Sequence, residues 1–263
     1  MKKMSFPKFA VFTRIGLISM ICFIALHGFS QDKTLKNKWH YLIEPYVMFP
    51  NMNGTTGIGD LPTVDVNANP GEIFNRLQMG AMLYAEAGND KWGISTDLLY
   101  MSLKDDVSAG LLIQSGRVTA KQLGWEFAGF YKTCRFFDAG LGLRINSINA
   151  GADLNIRTGV NEVTPKSKSI TKTWVDPFIV ARMHNDAAQK FLWQLRMDIG
   201  GFGIGSKLAW QIQAYAGYRF SKLFQLTGGY RIISMNYDKG SGTDRFMYDM
   251  NTFGPVIRFG FNF

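Results

Sequence analysis

The sequence predicts an all-β fold, a closed antiparallel up-and-down transmembrane barrel of about ten strands. Three observations predict it. In the final stretch, Phe253 to Phe263, the residues Ile257, Phe259, Phe261 and Phe263 alternate with Arg258, Gly260 and Asn262. A period of two puts bulky apolar groups on one face of a strand and polar or absent side chains on the other. Left as a bare edge, such a strand invites aggregation; pairing it with the first strand of a barrel removes the edge. Second, no apolar run after Leu26 approaches the roughly 20 residues of a membrane helix, yet aromatic residues make up 14% of the chain and glycine occupies 28 positions. Third, the same alternation recurs from Trp39 onward, with connections that are by turns short and long.

The first thirty residues read as an export segment. Lys2, Lys3, Lys8 and Arg14 precede an apolar run from Ile15 to Leu26, and the small residues Gly28 and Ser30 follow. This is the pattern of a secretory signal peptide, with cleavage expected after Ser30 and residues 31–263 forming the barrel domain. Its removal takes Cys22 away and leaves Cys134, so no internal disulfide is expected. The formal charge of +9 falls with it, leaving 25 basic against 20 acidic residues, too weak a balance for a nucleic-acid partner.

The strands follow in order. The first, Trp39 to Phe49, turns Tyr41, Ile43 and Val47 outward and Glu44 and Tyr46 inward. A long Gly/Asn-rich connection follows, in which Asn69-Pro70-Gly71-Glu72 predicts a helix N-cap with proline at the first position. The second strand, Arg76 to Ala87, faces Met79 and Leu83 outward with Gln78, Tyr84 and Glu86 inward, and turns at Gly88-Asn89-Asp90. The third, Lys91 to Leu103, has Trp92, Ile94, Leu98 and Tyr100 out and Asp97 in; a loop is expected over Lys104 to Gly116. The fourth, Arg117 to Lys132, pairs outward Leu123, Trp125 and Phe127 with inward Gln122 and Glu126. The fifth begins at Asp138 with Leu141, Leu143 and Ile145 out and Arg144 in, and ends in an expected loop from Ala152 to Lys172.

In the sixth, Thr173 to His184, Asp176 and Arg182 point inward and Pro177 is expected at a bulge. The seventh, Lys190 to Gly200, alternates Phe191, Trp193, Leu195, Met197 and Ile199 with Leu192, Gln194, Arg196 and Asp198. Gly200 to Gly205 predicts a loop packed over the barrel mouth. The eighth (Lys207 to Phe220) and ninth (Leu223 to Tyr237) carry Arg219 and Arg231 inward. The tenth runs from Arg245 to the end, with a bulge expected at Gly254-Pro255. An even count suits a single-chain barrel, with eight or twelve strands the alternatives.

The outward aromatics form two girdles. Trp39, Tyr41, Trp92, Tyr131, Trp193, Phe224, Phe261 and Phe263 lie at the periplasmic ends; Phe49, Tyr100, Trp125 and Trp210 lie at the others. Several segments carry a resemblance: Val64-Asp65-Val66…Ile73…Leu77, Trp92-Gly93-Ile94…Asp97-Leu98-Leu99-Tyr100, Trp174-Val175-Asp176-Pro177, and above all Asp198-Ile199-Gly200-Gly201-Phe202-Gly203-Ile204-Gly205-Ser206…Trp210-Gln211. Gly217-Tyr218-Arg219 and Gly229-Tyr230-Arg231 add to it. The mature chain resembles exported bacterial outer-membrane β-barrels near the OmpA-like and small-porin barrels. The resemblance implies fold and outer-membrane location, and little about chemistry.

The inward charges divide. Glu44, Glu86, Asp97 and Glu126 come from the first four strands; Arg144, Arg182, Arg196, Arg219, Arg231 and Arg258 come from the rest, with Asp176 and Asp198 the exceptions. A narrow lumen makes an unpaired charge costly, so carboxylates and arginines are expected to pair across it. If the turn centres on Arg135, Glu126 faces Arg144, and closure brings Glu44 beside Arg258.

The expected role is structural or a narrow solute passage, with surface binding of ligand or lipopolysaccharide as the alternative. Lys166, Lys168 and Lys172 read either as a solvated, mobile loop, the favoured reading, or as contacts for lipopolysaccharide phosphates or a partner. An enzyme is not expected, because His40 and His184 both fall at the periplasmic end, and no cofactor or metal set stands out. The expected partners are outer-membrane lipid, lipopolysaccharide and the assembly machinery, with the chain a monomer.

Overall fold

The computed structural model describes residues 39–59, 63–107, 113–157, 163–185 and 189–263. The expected signal peptide, residues 1–30, lies outside them. The strands are β1 (His40–Met48), β2 (Asn51–Ile58), β3 (Val64–Ala68), β4 (Leu77–Gly88), β5 (Trp92–Val107), β6 (Ile113–Cys134), β7 (Phe137–Arg157), β8 (Val163–His184), β9 (Phe191–Gly200), β10 (Leu208–Arg219), β11 (Phe224–Lys239) and β12 (Phe246–Asn262), with one helix, α1 (Pro70–Arg76). β1 and β4 through β12 form an antiparallel meander that closes where β1 meets β12, Val47 facing Ile257 and Ile43 facing Phe261. The barrel therefore has ten strands. Closure gives the C-terminal strand a partner on both sides, and Phe263 N donates to Tyr41 O at 2.9 Å.

β2 and β3 belong to the first hairpin. β2 prolongs β1 along β12, since Met48 faces Val256 and Asn51 faces Phe253. Pro50 interrupts the line, and Phe49 N donates to Pro255 O at 2.9 Å across the break. β3 folds back on β2, and α1 is inserted before the chain resumes as β4. Asn69 caps α1 in a reciprocal capping box with Glu72. Ile73 is buried, Phe74 lies against the Phe49 ring at 5.5 Å, and Arg76 binds Asp105 of β5 at 2.7 Å.

Four expectations need correction. The expected loops over 104–116 and 152–172 are largely strand among the described residues: β5 to β8 run well past the band of apolar outward residues, and Lys166, Lys168 and Lys172 stand on β8. On β8 the outward positions of this stretch are Ser167, Ser169, Thr171 and Thr173, so the apolar alternation that marks the lower strand is absent. β12 has no bulge at Gly254-Pro255; the break is in its neighbour, at Pro50. Pro177 sits in register opposite Leu143, and β8 loses its β9 partner just beyond Phe178, so the missing N–H has no rung to break there. Gln78 is exposed, at a register shift between Leu77 and Met79.

The two faces of the wall exchange character at one level. On β8 the outward residues from Val175 to Met183 are apolar, about the nine residues a tilted strand needs to cross hydrocarbon. Above them the outward positions are Thr173 and Thr171. Inside, the lower lumen is charged and the upper lumen is apolar. Adjacent apolar pairs mark the crossover, one member outward and the next inward: Val47-Met48, Leu83-Met82, Leu98-Leu99, Ile232-Ile233 and Ile257-Val256.

Candidate functional site

The lower lumen is a layered network of buried charge, built by side chains that alternation aims inward from every barrel strand. Glu126 of β6 sits at its centre. It accepts from Arg144 Nε at 2.9 Å and Arg196 Nη2 at 2.9 Å, and Arg231 Nη2 approaches at 3.4 Å. Arg144 reaches on to Asp198 at 2.6 Å, and Arg231 to Asp97 at 3.1 Å. Tyr46 donates its hydroxyl to Asp97 at 2.7 Å and accepts from Arg231 at 2.8 Å; Gln211 bridges Arg231 Nε and Asp198. Arg144, Arg196, Arg231 and Arg258 are each at most 2% exposed, so these are desolvated pairs that hold only because each charge meets its opposite.

Two satellites flank this centre. Toward the short-turn end of the barrel, Arg182 donates to Asp138 at 2.7 Å and to Glu86 Oε1 at 2.9 Å, its guanidinium 4.4 Å from the Phe130 ring. His184 Nε2 lies 3.2 Å from Asp138, and Tyr84 donates to Glu86. At the closing seam, Arg258 binds Glu44 at 3.3 Å between the rings of Tyr215 and Tyr84, 4.0 and 4.9 Å away. A pocket of about 180 Å³ opens at the short-turn end of the barrel, lined in part by Glu44, Glu86, Arg182, His184, Arg219 and Arg258. Arg219 donates there to Gln225 Oε1 at 2.9 Å.

The structure thus joins Glu126 with Arg144 on facing rungs, as the Arg135-centred turn requires. It joins Glu44 with Arg258 two residues out of strict register, because Arg258 faces Tyr46. Acids of the first four barrel strands meet arginines of the others in Arg182–Glu86, Arg196–Glu126, Arg231–Asp97 and Arg258–Glu44, but the basic side also holds carboxylates. Arg144 pairs with its strand neighbour and with Asp198, and Arg196 also lies beside Asp198, at 3.5 Å. Asp176 serves another purpose. It accepts from Asn146 at 2.9 Å, Trp174 Nε1 at 3.1 Å, Ser206 N at 2.6 Å and Ser206 Oγ at 2.8 Å, pinning the β9–β10 connection. The connection has two faces: Gly205 and Ser206 pack inward against Trp174 and Asp176, while Phe202 lines an outer groove with Leu141, Leu143 and Ile179. Sequence reasoning turned Tyr46 and Tyr84 inward without naming them as members of the network, and left out Gln211 and Asp138; Asp138 carried a signal, being three inward positions from Arg144 on the same parity.

Above the charges the lumen is filled, not empty. Met48, Leu99, Ile233, Met235, Met250 and Val256 pack with an aromatic cluster in which Trp174 stacks on Tyr237 at 4.2 Å, with Phe246 and Tyr248 beside it at 6.5 and 6.2 Å. Ile148 and Ile170, from the tall β7–β8 flap, meet Met52, Ile58 and Val66 of the opposite flap in this cluster. Lys172 Nζ also reaches Asp244 O at 3.4 Å across the same gap.

Among the described residues, no group of three or more His, Cys, Asp or Glu could hold a metal ion. No protein-family model matches the chain, and no curated protein matches it in sequence. Among solved structures it is similar to the outer membrane protease OmpT from Escherichia coli, with 8% identity and a TM-score of 0.47 over 89% of this chain and 99% of that one. It is similar also to Ail, the attachment invasion locus protein of Yersinia pestis, with 9% identity and a TM-score of 0.33 over 86% and 98% of the two chains. The Pseudomonas putida toluene transporter TodX gives 9% and 0.35 over 84% and 88%. At these values the likeness concerns architecture alone. By its own closure and its apolar exterior over a charged interior, the chain is a β-barrel of the outer-membrane type.

Proposed function

We propose that this chain is an integral outer-membrane barrel whose lumen is closed, acting as a structural or surface-binding body and not as an open pore. The observation that carries the reading is the convergence of Arg144, Arg196 and Arg231 on Glu126, which fills the lumen at mid-height with desolvated side chains. The apolar cluster around Trp174 stands as a second barrier above it. Lipid solvates the outward residues, and the closed ladder satisfies the backbone groups a bilayer cannot. Outer-membrane lipid, lipopolysaccharide and the assembly machinery are the partners this placement entails, with the chain a monomer.

The test is planar-bilayer conductance of the mature protein, with insertion verified separately by heat-modifiable gel migration. Silence from inserted protein is the expected result; steady picosiemens-scale openings would overturn the closed-lumen reading. A second reading, narrow passage of small polar solutes, is favoured by one feature, the polar pocket open to the periplasm. Liposome swelling with small sugars and amino acids would reveal it. An enzymatic reading has less support: both histidines stand at the periplasmic end, His184 bound to Asp138 and to the Asn185 carbonyl.

A further inference from the structure

The pocket at the short-turn end of the barrel is ringed by charge from six of the ten barrel strands. Glu44 of β1, Glu86 of β4, Lys132 of β6, Arg182 of β8, Arg219 of β10 and Arg258 of β12 all line it. Its inner end is blind, because Arg182, Arg258 and Tyr215 are buried there. Leu42 of β1 and Leu192 of β9 give it an apolar side. A volume of about 180 Å³ holds several waters or one small organic molecule.

The charges do not balance. Four cations line the pocket, Lys132, Arg182, Arg219 and Arg258, against the carboxylates of Glu44 and Glu86. Asp138, behind Arg182, is a third carboxylate, divided between Arg182 at 2.7 Å and His184 at 3.2 Å. With Asp138 counted, four cations meet three carboxylates, one positive charge in excess. His184 adds to it, since both ring nitrogens face acceptors, Asp138 and the Asn185 carbonyl, an arrangement that suits the imidazolium. The cations are also unevenly met. Arg258 reaches Glu44 through one Nη at 3.3 Å, against 2.9 and 2.6 Å for the two bonds of Arg144. Its other bonds go to the neutral Gln213 and Tyr215, at 3.2 and 3.1 Å, and its buried Nε has no hydrogen-bond partner among the described residues. Glu44 meanwhile accepts from Gln225 at 3.0 Å, and Gln225 accepts from Arg219 at 2.9 Å. Lys132 stands close enough to Glu86 to act on its charge, yet among the described residues no carboxylate lies within 4 Å of its ammonium.

We infer that this pocket binds a small monocarboxylate, its carboxylate drawn by Lys132, Arg219 and Arg258 and its short hydrocarbon body lying against Leu42 and Leu192. A single charge in excess suits a monoanion, and the leucine side suits an acid with an apolar body better than a compact, fully polar anion such as phosphate. The low-dielectric wall of the barrel focuses the field of these cations on the mouth. The inference goes beyond the closed-lumen reading and is independent of it, because a solute seated in a blind pocket passes no current.

The experiment is equilibrium dialysis of radiolabelled butanoate against the mature protein refolded in maltoside micelles, at constant ionic strength and with protein-free micelles as the blank. Wild type should hold about one butanoate per chain and favour it over butanamide, the neutral isostere, by roughly tenfold. Lys132→Gln with Arg219→Gln leaves the Arg182 and Arg258 ion pairs in place and should weaken binding roughly tenfold. Leu192→Asp sets a carboxylate on the apolar side and should weaken it as much. Glu44→Gln removes the carboxylate that competes for Arg258 and should tighten it several-fold. Heat-modifiable migration verifies that each variant is folded. The inference is overturned if the folded double variant binds within about twofold of wild type, or if butanamide binds as well as butanoate. It is overturned equally by no retention above the blank, or by inorganic phosphate displacing the label at a lower concentration than unlabelled butanoate does, which would mark a general anion site. Open-pore conductance would defeat the closed-lumen reading and leave this one standing.

Discussion

The lower and upper halves of the lumen hold the same strands together by opposite means. At membrane depth the interior is built from Arg–carboxylate pairs around Glu126; above it the interior is Met, Ile and aromatic side chains around Trp174. The solvent outside explains the difference. Lipid tails are as apolar as leucine, so placing apolar groups indoors gains little there, and polar groups have nowhere else to go. Where water covers the wall, as at Ser234, Asn236 and Asp238 of β11, burying Ile233, Met235 and Tyr237 gains the ordinary hydrophobic term. The interior is thus the complement of the surroundings at each height.

This contrast can be broken from either side. The largest effect is expected at the centre of the charged half. Glu126→Ala strands three arginines, each at most 2% exposed, without their shared carboxylate, and should cost about 4 kcal/mol in urea unfolding followed by tryptophan fluorescence. At the seam, Arg258→Met alone should cost about 3 kcal/mol, but Arg258→Met combined with Glu44→Leu should return to within about 1 kcal/mol of wild type. That recovery separates a pair that merely avoids unpaired charge from one that adds stability. In the apolar half, Trp174→Ala should cost about 3 kcal/mol by opening a cavity between the flaps. Its signature is loss of protection in the upper parts of β7, β8, β11 and β12, with the Glu126 layer intact.

Smaller effects should follow at the rim. Ser206→Ala removes a hydroxyl donor to buried Asp176 and should cost about 1.5 kcal/mol. Above the hydrocarbon band, hydrogen bonds from Arg245 and then Lys207 hold the Asp238 carboxyl down at about 2, against about 3.9 in an unfolded chain. Because the folded value is the lower one, the clip's contribution is fully present above the unfolded value and disappears as pH falls through about 2. Asp238→Asn should therefore flatten the acid limb of a thermal-stability profile below about pH 4 and leave neutral pH little changed.

The membrane half was legible because two solvents write a strict alternation. That is why the outward sets on all ten barrel strands, and even the Glu126–Arg144 rung, follow from counting residues about a turn. The upper half was not legible by the same rule. Its outward residues are Thr, Ser, Asn and Asp, which read as loop, and its apolar residues fall on the opposite parity. A signal was nonetheless present: doublets such as Leu98-Leu99 and Ile232-Ile233 mark the level where the apolar face changes sides. The β8 lysines make sense in this light. From Val163 to Pro177 that strand pairs with β7 only, among the described residues, and lysines on an exposed edge discourage pairing with other chains. Cross-lumen partners such as Arg182 with Glu86 were beyond counting, since barrel curvature, not sequence spacing, brings them together.

The central claim is that the aromatic and aliphatic groups at membrane depth touch lipid while Trp174 does not. Single-tryptophan proteins retaining Trp193, Trp125 or Trp174, reconstituted in vesicles of brominated phosphatidylcholine, test it directly. Strong quenching at Trp193 and Trp125 with little at Trp174 is the predicted result. Quenching of Trp174 comparable to the other two, or protection of Trp193 and Trp125, would contradict it.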